Sequence, residues 1–156
     1  MGSMLHFCTY FDINYVTYGL ALHHSLKEHC GEFRLWVLCM DVSSYDVLSE
    51  MALPELCLIR LSDFENGDHA LLKAKQNRSR IEYYFTCTPS LPLYVLKNFP
   101  EVDCITYLDA DLFFYSTPKP IFQEIGNHSI AIIEHRFAPH YKSMEICGKY
   151  NVGWIS

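Results

Sequence analysis

The run FRLWVLC, Phe33 to Cys39, is apolar at every position except Arg34. A strand apolar on successive residues has both faces buried, and such strands belong to parallel sheets with helices packed on each side. The flanking sequence supplies those partners. LHFCTY, Leu5 to Tyr10, reads as an earlier strand, and Asn14 to Cys30 carries Tyr15, Tyr18, Leu22, Leu26 and His29 on one helical face. After FRLWVLCMD, Phe33 to Asp41, either Ser43 or Ser44 is placed to cap a short helix through Met51, with Asp46 in its first turn. LCLIRLS, Leu56 to Ser62, reads as a third strand. Strands separated by helical patterns imply right-handed crossovers, so the expected fold is α/β with a parallel sheet covered on both faces.

Farther along, Asp63 to Lys75 is polar around Gly67 and then turns helical. Pro89 and Pro92 are expected to divide the next segment, NRSRIEYYFTCTPSLPLYVLKNFP, into two helical pieces. CITYL is a fourth strand, PKPIFQEIG a short helix, SIAIIEH another strand, and YNVGWIS a last strand that is still apolar at Ser156. With no repeat, low-complexity tract or linker, one domain is expected over residues 4–156, continuing in a longer natural protein. Met1-Gly2-Ser3 ahead of Met4 reads as an expression-tag remnant.

Composition excludes several classes of function. The chain has 156 residues, half of them hydrophobic and 19% charged, which suits a globular domain with a real core. A net charge of -6 lacks the basic surplus that neutralises phosphates, so nucleic acid is not an expected partner. No apolar stretch approaches the roughly 20 residues of a transmembrane helix, and no signal peptide is recognisable. The seven cysteines are odd in number and lack C-x-x-C spacing, so reduced thiols in the cytoplasm are expected. The scattered histidines do not form a zinc pattern.

The stretch CITYLDADLFFYSTP ends an apolar strand with two aspartates, Asp109 and Asp111. Like charges so close cost stability unless a cation sits between them. In an extended segment the two carboxylates share a face while Ala110 points away, so both reach one ion. Carboxylate oxygen suits Mg²⁺ or Mn²⁺, with coordination positions left for water or a phosphate-bearing ligand. Carboxyl ends of parallel strands are also where open α/β sheets bind ligands. The competing reading is a solvated turn after a strand.

The double acid with its following LFFYSTPKPIF resembles the DxD signature of GT-A glycosyltransferases. The opening FCTYFDINYVTYGLALHHSLKEH is similar to the start of glycosyltransferase family 8, the glycogenin and lipopolysaccharide-galactosyltransferase group. The matching positions there are Thr9, Asp12, Tyr15, Gly19, Ser25 and Leu26. The resemblance implies a GT-A, Rossmann-like, mostly parallel sheet flanked by helices, of which this chain holds the donor-binding part, incomplete at its C-terminus. It implies transfer of a sugar from a nucleotide-sugar, a UDP-sugar, with retention, assisted by Mn²⁺ or Mg²⁺ on Asp109 and Asp111. Thr9, Tyr10, Asp12 and Tyr15 are the implied nucleotide contacts, although Tyr15 also reads as part of the helix core. Ala110 is grouped with the donor contacts, as is Gly153 of YNVGWIS, which resembles the family's F-N-x-G segment. Glu134 and Asn151 are the implied catalytic residues near the donor sugar, while a strand-end charge facing water is the competing reading of Glu134. Acceptors of carbohydrate, lipid-linked or protein type are all compatible.

Two departures stand out. The family carries a basic residue on the helix before the DxD strand, but TCTPSLPLYVL has no cation before Lys97. Lys75, Arg78 and Arg80 are the cations that can stand in, with Thr86, Thr88 and Ser90 as hydrogen-bonding substitutes. The family's histidine ligand, the third to the metal, is expected beyond Ser156. Haloacid-dehalogenase-like phosphohydrolases also end a strand in D-x-D. Their motif opens the domain and is followed by Thr or Val where this chain has Phe113. A third reading is a sugar-nucleotide-binding fragment without turnover, which the apolar ending VGWIS favours.

Overall fold

The computed structural model describes residues 4–156 apart from the side chain of Cys147; the reading of Met1–Ser3 as a tag remnant lies outside the described residues. Strand β1 (Leu5–Phe11) leads through a 3-10 turn, Ile13–Tyr15, into helix α1 (Val16–His29). Then come β2 (Phe33–Cys39), α2 (Val42–Met51), β3 (Leu56–Arg60), α3 (Leu61–Glu65), α4 (His69–Asn77) and α5 (Arg80–Asn98). The chain closes with β4 (Thr106–Leu108), α6 (Lys119–Ile125), β5 (Ile132–Glu134), a 3-10 stretch over Pro139–Cys147, and β6 (Tyr150–Ile155). No helix among the described residues is long and apolar enough to cross a membrane.

The six strands form one sheet in the order β3-β2-β1-β4-β6-β5. β1 to β4 run parallel, and β6 runs antiparallel to both β4 and β5. The sheet is therefore mostly parallel, with a reversed strand inserted near one edge. Side-chain alternation splits the core in two. Phe7, Phe11, Leu35 and Val37 face α1 and α2, where Leu22, Leu26 and Leu48 cover them. Cys8, Trp36, Leu38 and Tyr107 face the other way, against Phe64, Cys87, Leu91 and Val95 of α3 and α5. Both faces of β2 are thus buried, as its apolar run requires.

Four sequence-based expectations are corrected. Helix α5 is continuous through Pro89 and Pro92. Its buried stripe of Tyr83, Cys87, Leu91 and Val95 spans both prolines, so tertiary packing outweighs the loss of two helical hydrogen bonds. Helix α2 is capped by Asp41, not by Ser43 or Ser44. The Asp41 carboxylate accepts from the Ser44 amide at 2.7 Å, which starts the helix at Val42 and moves Asp46 out of the first turn. The buried face of α1 carries Val16, Gly19, Leu22, His23, Ser25 and Leu26, while Tyr15 and Tyr18 are each 52% exposed. Finally, Ala110 and Asp111 form a turn closed by the Leu112 amide on the Asp109 carbonyl at 3.1 Å, so the double acid is not extended.

Candidate functional site

The strand order reverses beside β1: β2 and β3 extend to one side of it, and the chain then crosses through α3–α5 to place β4 on the other. Loops leaving the carboxyl ends of two such strands diverge and open a crevice, the usual ligand position in an open α/β sheet. A cleft of about 590 Å³ lies there. The end of β1 supplies Tyr10, the turn after it supplies Asp12 and Tyr15, the segment after β4 supplies Asp109, Ala110 and Asp111, and α5 forms a wall with Arg80, Ile81, Tyr84 and Phe85.

The turn after β1 is tightly held. Asp12 accepts from the Asn14 amide at 3.0 Å through Oδ1, while Asp41 accepts from the Ile13 amide at 3.1 Å. Asp41 thereby ties the α2 N-terminus to this turn. Burial opposes ionisation of the Asp41 carboxyl, but the amides of Ile13 and Ser44 outweigh it and hold that carboxyl below the usual aspartate range. From α5, whose Ser79–Glu82 capping box fixes its first turn, Arg80 donates to Asp12 Oδ2 at 2.8 Å and to Tyr84 Oη at 2.8 Å. Arg80 and Asp12 are 68 residues apart in sequence.

After β4, the Asp109 amide donates to the Gly153 carbonyl at 3.0 Å, and Tyr107 donates its hydroxyl to Asp109 Oδ1 at 2.9 Å. Burial raises the Asp109 carboxyl above its ordinary value; the Tyr107 bond opposes this and the Asp111 charge adds to it. Burial also pushes the Tyr107 hydroxyl far up, so it keeps its proton and acts as donor. Tyr107 packs against Tyr10 with ring centroids 5.8 Å apart, and Tyr10 in turn meets Tyr84 at 6.1 Å and shares a 3.0 Å hydrogen bond with Thr88.

The cleft thus brings Tyr10, Asp12, Tyr15, Asp109, Ala110 and Asp111 together. Tyr15 is not in the helix core; it is half-exposed with its ring 5.3 Å from that of Tyr18. Thr9 is fully buried, its Oγ1 without a hydrogen-bond partner among the described residues, and does not line the cleft. Gly153 lies beside Asp109: a Cβ on it would stand 3.2 Å from Asp109 Oδ2 and 3.1 Å from Asn151 Oδ1. Asn151 turns its Oδ1 onto the Gly153 amide at 2.8 Å, and Glu134 pairs with Lys149 at 2.9 Å on the surface. Neither Asn151 nor Glu134 lines the cleft.

Of the three cations that could replace the family's basic residue, Arg80 lines the cleft. Lys75 is committed to Glu65 at 2.7 Å, and Arg78 bonds Thr86. Sequence reasoning missed Ile81, Tyr84, Phe85, Tyr107 and Asp41; the capping box and the four-residue step from Arg80 to Tyr84 were the available signals for the α5 wall. A wider groove of about 950 Å³, between the α3–α4 connection and the C-terminal half of α5, is lined by Ser90 but by none of the residues expected to hold the metal, the nucleotide or the sugar. Among the described residues no group of three or more His, Cys, Asp or Glu side chains is arranged to hold a metal.

Solved structures share this architecture. Mouse xyloside xylosyltransferase 1 superposes with a TM-score of 0.67 over 98% of this chain and 66% of that one, at 13% identity. The chain has a GT-A-like glycosyltransferase fold. The bifunctional glycosyltransferase WbbM matches with a TM-score of 0.61 over 99% of this chain and 31% of its own, at 17% identity. GlyE of Streptococcus pneumoniae TIGR4 matches at 0.59, 99%, 34% and 16% respectively. In sequence, two Bacillus subtilis strain 168 proteins described as uncharacterized are similar. YfnD is 33% identical over 154 residues, covering 98% of this chain and 49% of YfnD, and YfnF is 32% identical over 157 residues, 96% and 51%. The chain spans about half the length of these curated relatives. No protein-family model matches it.

Proposed function

We propose that this glycosyltransferase-fold chain is the donor-binding part of a metal-dependent enzyme of the family 8 type, which takes a sugar from a UDP-sugar with retention of configuration. The observation that carries the reading is the switch-point cleft, where two adjacent carboxylates and a guanidinium line one wall-to-wall space with aromatic rings. The donor set fits a hard divalent cation. Asp109 and Asp111 offer oxygen ligands, and the bare Cα of Gly153 leaves room beside Asp109 Oδ2. When bound, Mn²⁺ or Mg²⁺ supplies Lewis-acid stabilisation of the departing diphosphate.

The protein's own groups divide the remaining work. Tyr10 and Tyr15 offer ring faces to the uridine, and the Asp12 turn orients it. Arg80 donates to phosphate oxygens, giving up its hold on Asp12 or sharing it. Glu134 and Asn151 keep their roles near the donor sugar by resemblance to the family. A second reading, donor binding by these residues without turnover, is favoured by one observation: Glu134 and Asn151 do not line the cleft. The acceptor is a carbohydrate, a lipid-linked saccharide or a protein.

The test is thermal unfolding with UDP, ADP, GDP and CDP, each with and without Mn²⁺. A ligand at about 100 times its Kd stabilises by about 2.7 kcal/mol, worth about 5–10 °C for a chain of this size. UDP with Mn²⁺ is expected to give the largest rise; no rise with any nucleotide would refute the reading. Release of UDP from a UDP-hexose then separates turnover from binding. Hydrolysis of a simple phosphate ester would instead support the phosphohydrolase.

A further inference from the structure

Asp109 holds its two oxygens in different circumstances. Oδ1 accepts the Tyr107 hydroxyl at 2.9 Å, whereas Oδ2 has no hydrogen-bond partner among the described residues and faces the Cα of Gly153. The backbone on either side is fixed as well: the Asp109 amide is bonded to the Gly153 carbonyl at 3.0 Å and its carbonyl closes the turn to Leu112 at 3.1 Å. Tyr107 itself is 2% exposed and packed against Tyr10, so its hydroxyl has little freedom to leave Asp109.

We propose that Tyr107 is a positioning residue that makes Asp109 a one-oxygen ligand, occupying Oδ1 so that Oδ2 is the atom presented to the cation. The inference rests on the metal reading of the cleft and adds to it a preference among ions. Mg²⁺ and Mn²⁺ favour near-octahedral sites built from single carboxylate oxygens, whereas the larger Ca²⁺ accepts both oxygens of one carboxylate. A carboxylate pinned through one oxygen suits the smaller ions. A carboxylate free to rotate loses that bias. Partners of this kind behind a ligand change metal affinity by about 10–100-fold.

The experiment measures Mn²⁺ and Ca²⁺ binding to the whole chain in the presence of UDP. Mn²⁺ is followed by the electron paramagnetic resonance signal of the free ion and Ca²⁺ by its competition for the Mn²⁺ site, in wild type and Tyr107→Phe, with thermal unfolding of both. The expected result is a loss of Mn²⁺ affinity of about tenfold in Tyr107→Phe with a smaller loss for Ca²⁺, so that the Mn²⁺ preference shrinks. Unchanged Mn²⁺ affinity would overturn the inference and leave the metal reading standing. Equal losses for both ions would assign Tyr107 a purely structural role and also overturn it. Wild type that takes up no Mn²⁺ with UDP present would overturn the metal reading and this inference with it.

Discussion

Gly19 lies on the buried face of α1, and Gly19→Ala sets two effects of known sign against each other. Replacing an interior helical glycine by alanine normally stabilises by about 1 kcal/mol. Here the new methyl would overlap the ring edge of Phe11 at Cε1 and Cζ and stand 3.0 Å from Cδ1, where carbon atoms ordinarily rest about 3.5–4.0 Å apart. The ring is 4% exposed and enclosed in the α1-side core, and the Phe11 carbonyl accepts the Met40 amide at 3.0 Å, so it has little room to retreat. Overpacking of this kind costs about 1–3 kcal/mol, more where nothing can yield. With the ring unable to retreat the upper part of that range applies, about 2–3 kcal/mol, so the net expectation is a loss of about 1–2 kcal/mol, which lowers the melting temperature by about 2–8 °C. Thermal unfolding followed by far-ultraviolet circular dichroism reads this directly. Because Phe11 precedes Asp12 and lines the cleft, UDP affinity should fall as well. A Gly19→Ala chain as stable as wild type, or more so, would refute the claim that contact between α1 and β1 requires a bare Cα there.

Three further outcomes are expected. Glu55 accepts from Lys27 and His23 at 3.0 Å each; burial opposes ionisation, but these bonds prevail and hold its carboxyl at about 2 against an ordinary 4.5. A depressed carboxyl contributes stability above its unfolded value and loses it as pH falls, so the advantage of wild type over Glu55→Gln, under about 1 kcal/mol at neutral pH, should vanish between pH 4.5 and about 2 in urea titrations. Asp109→Asn removes a half-buried charge whose ionisation is disfavoured by burial and by Asp111. Without cation or nucleotide it should therefore melt above wild type, by about 2–4 °C for a gain on the order of 1 kcal/mol, and an unchanged or lower melting temperature would contradict this. Arg80→Ala should leave the melting temperature nearly unchanged, since Arg80 is 66% exposed in its side chain, yet weaken UDP binding about tenfold by calorimetry.

The parts of this molecule governed by local pattern were legible in the sequence. The apolar run at Phe33–Cys39 announced a strand buried on both faces, and the double acid was recognisable at the end of β4. What escaped depends on contacts distant in sequence. Arg80 was one of three interchangeable cations until α5 folded against β1 and brought it to Asp12. Pro89 and Pro92 argued for a break, but the four buried side chains that span them belong to the packing of the whole helix against the sheet. Asp41 outcompeted the serines as a cap because its other oxygen also secures the turn after β1. The reversal of β6 between β4 and β5 has no signature in YNVGWIS itself, since an apolar segment reads alike in either direction.

The most direct measurement of the central claim is calorimetric titration of UDP into the chain with Mn²⁺ present and absent, repeated with Asp109→Ala and Asp111→Ala combined. The account predicts binding that requires Mn²⁺ in wild type and disappears in the double variant while the fold, checked by circular dichroism, persists. UDP binding that is indifferent to both the metal and the two aspartates, or absent from a folded wild-type chain, would contradict it.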